Sequence, residues 1–348
     1  MRHWYKILGS ILLLYVGIFS LYHPLKPALV ETDATVLKPG YNRITYKGFY
    51  TNYSDGSLAG ISFGDEYLPG NVQIISDHEL AVTFTLPDTL TSSDVVYRTY
   101  SEKDGGLAAL SGAMTLEGFT ILPEYKRPNA LGKPTWEIKD EFAYPNLPRL
   151  HETIRNLNWH VPMWFTMFFV MIISFIQSLK VLNAKAGVDQ VQRMVKFDLR
   201  STMLNEIGWV FCVLGLLTGS LWARFTWGDW WTDDPQLNGA LVVFLVYSAF
   251  FILRPSIEDE SKRARISAVY NIFAFVLMML LLMVLPRFTE GLHPGKGGNP
   301  AFSQYDLDST LRTVFYPAVV AWICIAFWMY RLRLRTKRIK EYFSLNED

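Results

Sequence analysis

The most unusual residues of the chain lie between residues 222 and 237, where four tryptophans fall within ten positions. Tryptophan favours the membrane–water boundary, so an aromatic belt is the ordinary explanation. A belt spreads its aromatic residues over many helix ends, however, whereas these cluster in one segment, and Gly228 allows the backbone to turn there. We expect Trp222, Trp227, Trp230 and Trp231 to form a flat, amphipathic surface that suits a planar ligand with a charged edge.

Two of the six histidines lie near the same boundary. His160 precedes Val161 and Pro162 at the start of one apolar segment, and His293 follows the end of another. Haem has the planar shape that the tryptophan cluster suits, and two neutral imidazoles are able to act as axial ligands to its iron. Each histidine taken alone is better explained as an ordinary interfacial side chain, and only the two together favour a pair of ligands, so the spacing leaves both interpretations open.

Six apolar segments are long enough to cross the ~30 Å hydrocarbon core of a bilayer as helices. Hydrophobic residues make up 50% of the 348 residues and charged residues only 19%, which is unusual for a soluble protein of this length. The predicted spans are residues 4–22, 160–182, 206–222, 238–253, 268–285 and 314–330.

The distribution of basic residues predicts the orientation, because cytoplasmic loops collect Lys and Arg. Basic residues precede the first span, lie between the second and third and between the fourth and fifth, and follow the sixth. We therefore expect both termini in the cytoplasm of a bacterial inner membrane, with residues 23–159, 223–238 and 286–313 on the outside. The first span is interpreted as an anchor; a cleaved signal peptide is the alternative, but residues 22–24 make a poor cleavage site.

The first outward segment has a different character from the rest of the chain. Alternating stretches at 42–50, 72–75, 80–86 and 95–100 are separated by Gly, Pro, Asn and Asp, which predicts a small antiparallel β sandwich. The predicted organisation is an anchor at 1–22, a periplasmic β insertion at 33–122, a linker at 123–155, a five-helix core at 156–331 and a basic cytoplasmic tail at 332–348. The expected fold is thus a six-helix polytopic α-helical membrane protein with an inserted all-β domain.

The sequence lacks the motifs of several common kinds of site. The only two cysteines, Cys212 and Cys324, lie apart in apolar stretches, so we expect no disulfide, zinc site or thiol redox chemistry. The sequence has no CxxCH haem-attachment motif and no GxxxxGK[ST] nucleotide-binding motif. Nothing in it indicates a nucleic-acid partner.

Three motifs together resemble a known family. The segment at 227–234, WGDWWTDD, is similar to the WGxWWxWDxRL signature of the haem-handling WWD family of the CcmC/CcsA type. His160-Val-Pro resembles that family's HVP motif, and Leu292-His293 followed by Gly295 resembles its third outer loop. The motifs occur in the same order and on the same face, with the same six-span layout.

The resemblance implies a set of roles. His160 and His293 would ligate the iron of non-covalently and transiently bound haem b, and Trp227, Trp230, Trp231 and Asp234 would form the haem platform. Haem would pass to a periplasmic haem chaperone, with nucleotide dependence supplied by ABC-type transporter subunits. The chain departs from the family pattern at Asp233, at Pro235-Gln236 and in its β insertion. Since the usual arginine is missing, Arg224 is the candidate to balance a haem propionate.

The function expected from these roles is a haem carrier for cytochrome c biogenesis and not an enzyme. One alternative is a synthase-type relative that attaches haem to apocytochrome c. Another is a respiratory membrane subunit with buried haem b, but that needs His pairs within the helices. A third is a permease for an unrelated substrate; against it, no predicted helix carries a buried charge or a broken midplane segment.

Overall fold

A computed structural model describes residues 3–34, 36–64, 66–101, 106–111, 115–122, 143–144, 150–184, 189–289, 291–293, 307 and 309–344. Most of the predicted linker, the end of the basic tail and Gly295 therefore lie outside the described residues. The chain forms two compact units, one from His23 to Glu152 and one that contains the first helix and everything from Thr153 onward.

The first unit is a β sandwich, as the alternation predicts. Its strands are β1 (Ala28–Thr32), β2 (Val36–Leu37), β3 (Gly40–Phe49), β4 (Leu58–Phe63), β5 (Glu66–Pro69), β6 (Asn71–Ser76), β7 (Glu79–Leu86), β8 (Thr89–Leu90), β9 (Val95–Ser101), β10 (Gly106–Ser111), β11 (Thr115–Leu116) and β12 (Thr120–Ile121). Antiparallel sheets of order β1-β3-β7-β6 and β10-β9-β4-β5 share one core, in which the rings of Tyr46 and Tyr97 lie 4.9 Å apart. The four predicted strands correspond to β3, β6, β7 and β9. Strand β4 escaped prediction because five of its six residues are buried, which removes the period-two signal.

The second unit is helical. Its helices are α1 (Trp4–Tyr22), α2 (Leu157–Leu182), α3 (Gln190–Trp227), α4 (Pro235–Leu253), α5 (Glu260–Met279) and α6 (Ser309–Ser344). Six helical segments are long and apolar enough to cross a membrane, which confirms the predicted polytopic class. The end of this unit that carries His160 and His293, here called the histidine end, is formed by the start of α2, the end of α3, the start of α4 and the end of α5.

Two helices extend well beyond their predicted spans. Helix α3 begins at Gln190, where the apolar run predicted residue 206, and α6 continues to Ser344, where the prediction placed a separate tail from residue 332. The reason is that an apolar run marks the part of a helix that lipid surrounds, whereas Lys, Arg and Gln are good helix formers that continue the helix into water.

Glycines on one face of α3 allow α2 to approach it closely. Gly208, Gly215 and Gly219 are spaced by seven and four residues, so they share one side of the helix. A Cβ atom built at Gly215 would lie 2.7 Å from a ring carbon of Trp164, and one at Gly219 would lie 2.7 Å from Cε1 of His160. Small residues at this spacing are typical of close helix pairs in membranes.

Away from the histidine end, the helices are joined by buried polar side chains. Ser174 donates to Oδ1 of Asn205 at 2.6 Å, and Nδ2 of Asn271 lies within hydrogen-bonding distance of the hydroxyls of Ser174, Ser178 and Ser201. This polar cluster consists of one pair spaced by four residues from each of α2 and α3, with Asn271 from α5. Its hydrogen bonds therefore tie three helices to one another.

A buried ion pair lies beside the polar cluster. Arg254 lies just after α4, and its Nη1 and Nη2 donate to the carboxylate of Asp198 in α3 at 2.8 and 2.6 Å. Asp198 is only 5% exposed. The expectation that no helix carries a buried charge is therefore wrong for α3. The prediction missed Asp198 because it began α3 at residue 206, after this carboxylate.

The end of α5 departs from α-helical geometry near the histidine end. A π-helical turn spans Leu280–Val284 and a 3₁₀ turn spans Leu285–Arg287. Pro286 accounts for the change, because its ring cannot donate to the carbonyl of Leu282 and clashes with it in a regular helix. Helix α4 packs against this turn through Gly239, where an added Cβ would meet the carbonyl oxygen of Leu281 at 3.0 Å.

We predict that Gly215→Ala lowers the stability of the helical unit by about 1–3 kcal/mol, because the new methyl group overlaps the indole of Trp164. Thermal unfolding in detergent measures the effect. Gly17→Ala in α1 is the matched control, since its Cβ would meet only Trp159 at 4.0 Å. Equal stability of the two variants would contradict close packing at Gly215.

We also predict that Arg254→Ala lowers the free energy of unfolding by about 3–5 kcal/mol, because it leaves the Asp198 carboxylate buried without its cation. Asp198→Asn in the same chain should restore much of this loss. A double-mutant cycle on unfolding in detergent measures the coupling. Additive losses would show that the two side chains do not stabilise each other.

Candidate functional site

His160 lies on the first turn of α2 and packs directly against α3. Its ring sits over Gly219, whose missing side chain provides the space. The edge of the ring meets Trp222 at a centroid distance of 5.6 Å and an angle of 84°. The end of α3 thus contacts this imidazole on two sides, through Gly219 and through Trp222.

The hydrogen bonds of Thr218 determine which ring nitrogen of His160 carries the proton. The Thr218 hydroxyl donates to the carbonyl of Leu214 at 2.8 Å, as a hydroxyl in a helix commonly does. Its oxygen is then left to accept a hydrogen bond from Nδ1 of His160, which lies 3.0 Å away. A neutral ring with its proton on Nδ1 has a lone pair on Nε2, the form that binds metals.

His293 is held in a similar way, but by a carboxylate. Its Nδ1 lies 2.8 Å from Oδ1 of Asp234, and the backbone N–H of Leu292 donates to Oδ2 of the same carboxylate at 2.7 Å. Nδ1 therefore donates to Asp234, which again leaves Nε2 as the nitrogen with a lone pair. In both rings the hydrogen bond to a side-chain oxygen is thus made by Nδ1.

Asp234 is fully buried although it precedes α4 at the N-cap position. Its Oδ1 also accepts hydrogen bonds from the N–H groups of Gln236 and Leu237, which caps the helix. Burial alone would raise the pKa of this carboxyl group. The hydrogen bonds from His293, Leu292 and Gln236 outweigh burial and hold the pKa of Asp234 well below its usual range, so the group is a carboxylate at neutral pH.

The structure brings the two histidines together at the end of α3. Trp227, the last residue of the helix, meets His293 edge-on at a centroid distance of 5.1 Å, as Trp222 meets His160. The two imidazoles are also near enough to interact electrostatically. The histidine end thus holds two imidazoles, each beside one indole of α3.

The loop from 228 to 234 carries the remaining predicted residues. Gly228 ends α3 with a φ of +93°, a conformation that glycine adopts without strain. Trp230 and Trp231 are 57% and 38% exposed, and Nε1 of Trp231 donates to Asn238. Arg224 is exposed and its Nη1 donates to the carbonyl of Gly228, where it also complements the negative end of the helix dipole.

In the structure Asp234 is buried and hydrogen-bonded to the ring of His293, whereas the resemblance implied that it forms part of the haem platform. Thr218 and Gly219, which hold His160, were not singled out from the sequence. Only their positions four and three residues before Trp222 gave a signal, because residues at that spacing share a helix face. Among the described residues, no group of three or more His, Cys, Asp or Glu side chains is arranged to hold a metal ion.

Known proteins match the helical unit. Residues 142–293 match the family model described as cytochrome C assembly protein. "Heme exporter protein C" of Bradyrhizobium diazoefficiens is 33% identical over 130 residues, which are 37% of this chain and 46% of the relative. The protein of the same name from Paracoccus denitrificans is 25% identical over 154 residues, 44% of this chain and 61% of the relative. "Cytochrome c biogenesis protein CcsA" of Prochlorococcus marinus is 32% identical over 87 residues, 25% of this chain and 27% of the relative.

These matches cover about half the length of the first two relatives, and the family match leaves out strands β1 to β12. The match to the family model includes helices α2 to α5 and ends at His293. Through residues 142–293, the chain is similar to cytochrome c assembly proteins of the CcmC/CcsA type.

Proposed function

We propose that the protein binds haem at the histidine end and delivers it to a periplasmic haem chaperone for the maturation of c-type cytochromes. The observation that carries this proposal is the pair of imidazoles at one end of the helical unit, each with Nδ1 bonded to a side-chain oxygen, so that Nε2 would be the nitrogen offered to the iron. Two such nitrogens are what a six-coordinate haem iron requires. The names of the relatives support haem as the ligand.

The surrounding side chains suit the rest of the haem molecule. Trp227, Trp230 and Trp231 would cover part of the porphyrin, since an indole offers a flat apolar face. Arg224 would pair with a propionate, because its guanidinium carries five N–H donors and its side chain is exposed. Asp234 would act on the haem through His293.

Haem is cargo in this proposal and not a resident cofactor. The proposed ligand is haem b held without covalent bonds, so a partner could take it by competing for an axial position. This makes the protein a carrier and not an enzyme. Because the sequence lacks a nucleotide-binding motif, any dependence on ATP would come from ABC-type transporter subunits.

The proposed location is a bacterial inner membrane, with the histidine end facing the periplasm and both termini in the cytoplasm. Its support is the charge pattern at the opposite end, where the last turns of α6 carry Arg331, Arg333, Arg335, Lys337 and Arg338. The β unit would then be periplasmic, where it is able either to recruit the haem-accepting partner or to replace part of it.

A synthase-type function is the second candidate, because CcsA-type relatives also match the chain. The two candidates differ in the product. A carrier alone would leave an apocytochrome without covalently bound haem, so acid–acetone would still extract all the haem as haem b. A synthase would attach the haem to the CxxCH motif of the apocytochrome, where acid–acetone no longer extracts it. Incubating the haem-loaded protein with an apocytochrome c peptide, in the absence of other maturation proteins, distinguishes them.

We predict that the detergent-purified protein carries extractable b-type haem with bis-imidazole absorption bands. His160→Ala and His293→Ala should each shift these bands and weaken haem binding by about tenfold or more, since a lost ligand costs at least as much as a lost outer-shell partner. The pyridine haemochrome assay measures occupancy, and haem titration measures affinity.

His78→Ala is the matched control for these variants, because His78 lies in the β unit with its ring bonded to the carbonyl of Thr51. It should bind haem as the wild type does. A colourless wild-type protein that gives no saturable signal on haem titration would sink the proposal.

A tryptophan pair tests the platform against an aromatic belt. Trp230→Ala should weaken haem binding by about fivefold, which corresponds to roughly 1 kcal/mol for a lost aromatic contact. Trp4→Ala should have no effect, although Trp4 is as exposed, at 59%, because it lies at the opposite end of the bundle. Equal haem affinities in both variants would assign Trp230 to the belt.

A further inference from the structure

The two imidazoles differ in the charge of the group that holds them. His293 donates to a carboxylate that is fully buried and fixed by three backbone N–H groups. His160 donates to the neutral hydroxyl of Thr218, which is itself a donor to Leu214. The two rings are chemically the same, and the difference lies in the group that accepts the hydrogen bond from Nδ1, a carboxylate for His293 and a hydroxyl for His160.

A buried carboxylate changes the imidazole that it holds. It draws the Nδ1 proton toward itself, which increases electron density on the ring and strengthens Nε2 as a donor to a metal. A hydroxyl group has no net charge and does this much less. Because the Asp234 side chain is fully buried and lies directly against His293, solvent screens its charge from the ring only weakly.

The stronger donor favours the more highly charged form of the iron. Ferric iron carries one more positive charge than ferrous iron, so it gains more from an electron-rich ligand. The fixed carboxylate also prevents the ring of His293 from rotating, because rotation would break its hydrogen bond. Both effects act through His293, and Asp234 itself does not touch the iron.

We propose that Asp234 is a positioning residue that fixes Nε2 of His293 toward the haem iron, makes His293 the stronger of two unequal axial ligands and thereby biases bound haem toward the ferric state. This inference rests on the proposed function, since it requires haem at the histidine end. Asp234 would thus act on the haem through its hydrogen bond to His293 and not by contact with the porphyrin.

Asp234→Asn tests the proposal with little change in shape, because asparagine is as good an N-cap as aspartate. The reduction potential of the bound haem, measured by spectroelectrochemical titration, should rise in this variant. Thr218→Val is the matched control on the other ligand and should move the potential much less. A merely structural role would lower haem occupancy while leaving the potential of the remaining haem unchanged.

Chemical rescue provides a second test that does not depend on the stability of one variant. In His293→Gly, added imidazole should bind the iron in place of the missing side chain and donate to Asp234. The further change Asp234→Asn should weaken imidazole binding by about tenfold or more, the usual cost of losing an outer-shell partner. 1-Methylimidazole has no N–H to donate, so its affinity should be the same whether or not the Asp234→Asn change is present.

The outcomes separate this inference from the proposed function. An unchanged potential in Asp234→Asn, with equal losses for imidazole and 1-methylimidazole in the rescue experiment, would overturn the role of Asp234 while haem binding stands. A wild-type protein that binds no haem would overturn both.

Discussion

The close contact between α2 and α3 is the constraint on which the histidine end depends. Without side chains at Gly215 and Gly219, α3 leaves room for the rings of Trp164 and His160 to pack directly against it. The same approach brings the hydroxyl of Thr218 to Nδ1 of His160. Packing therefore does more than stabilise the helix pair, because it also determines the tautomer of a buried imidazole.

Asp234 connects three parts of the chain at the same end. It caps α4, accepts a hydrogen bond from the backbone after α5 and holds the ring of His293. The tryptophan loop that leads into it begins where α3 ends at Gly228. One buried carboxylate thus fixes the positions of a helix start, a loop and a side chain.

Much of this architecture was predictable from the sequence, for identifiable reasons. Apolar runs and basic flanks gave the six spans, and period-two alternation gave strands β3, β6, β7 and β9. The histidines and tryptophans stood out by type and place. By contrast, Thr218, Gly219 and Asp198 act through contacts between helices, and the spacing of residues within one helix does not reveal which neighbour it will meet. The contacts of Asp234 with Leu292 and His293 depend on the loop after α5, so no local pattern around residue 234 could reveal them.

The polar cluster has a mechanical consequence for the whole bundle. Ser174 lies 14 residues beyond His160 on α2, which is about 21 Å along the helix axis. Sliding α2 past α3 by half a turn, about 2.7 Å, would stretch the hydrogen bonds that Ser174 and Ser178 make to α3 and α5 beyond bonding distance. The polar cluster therefore resists sliding of the three helices along one another, so a change of shape at the histidine end would need less disruption if it were confined to the segments that join the helices there.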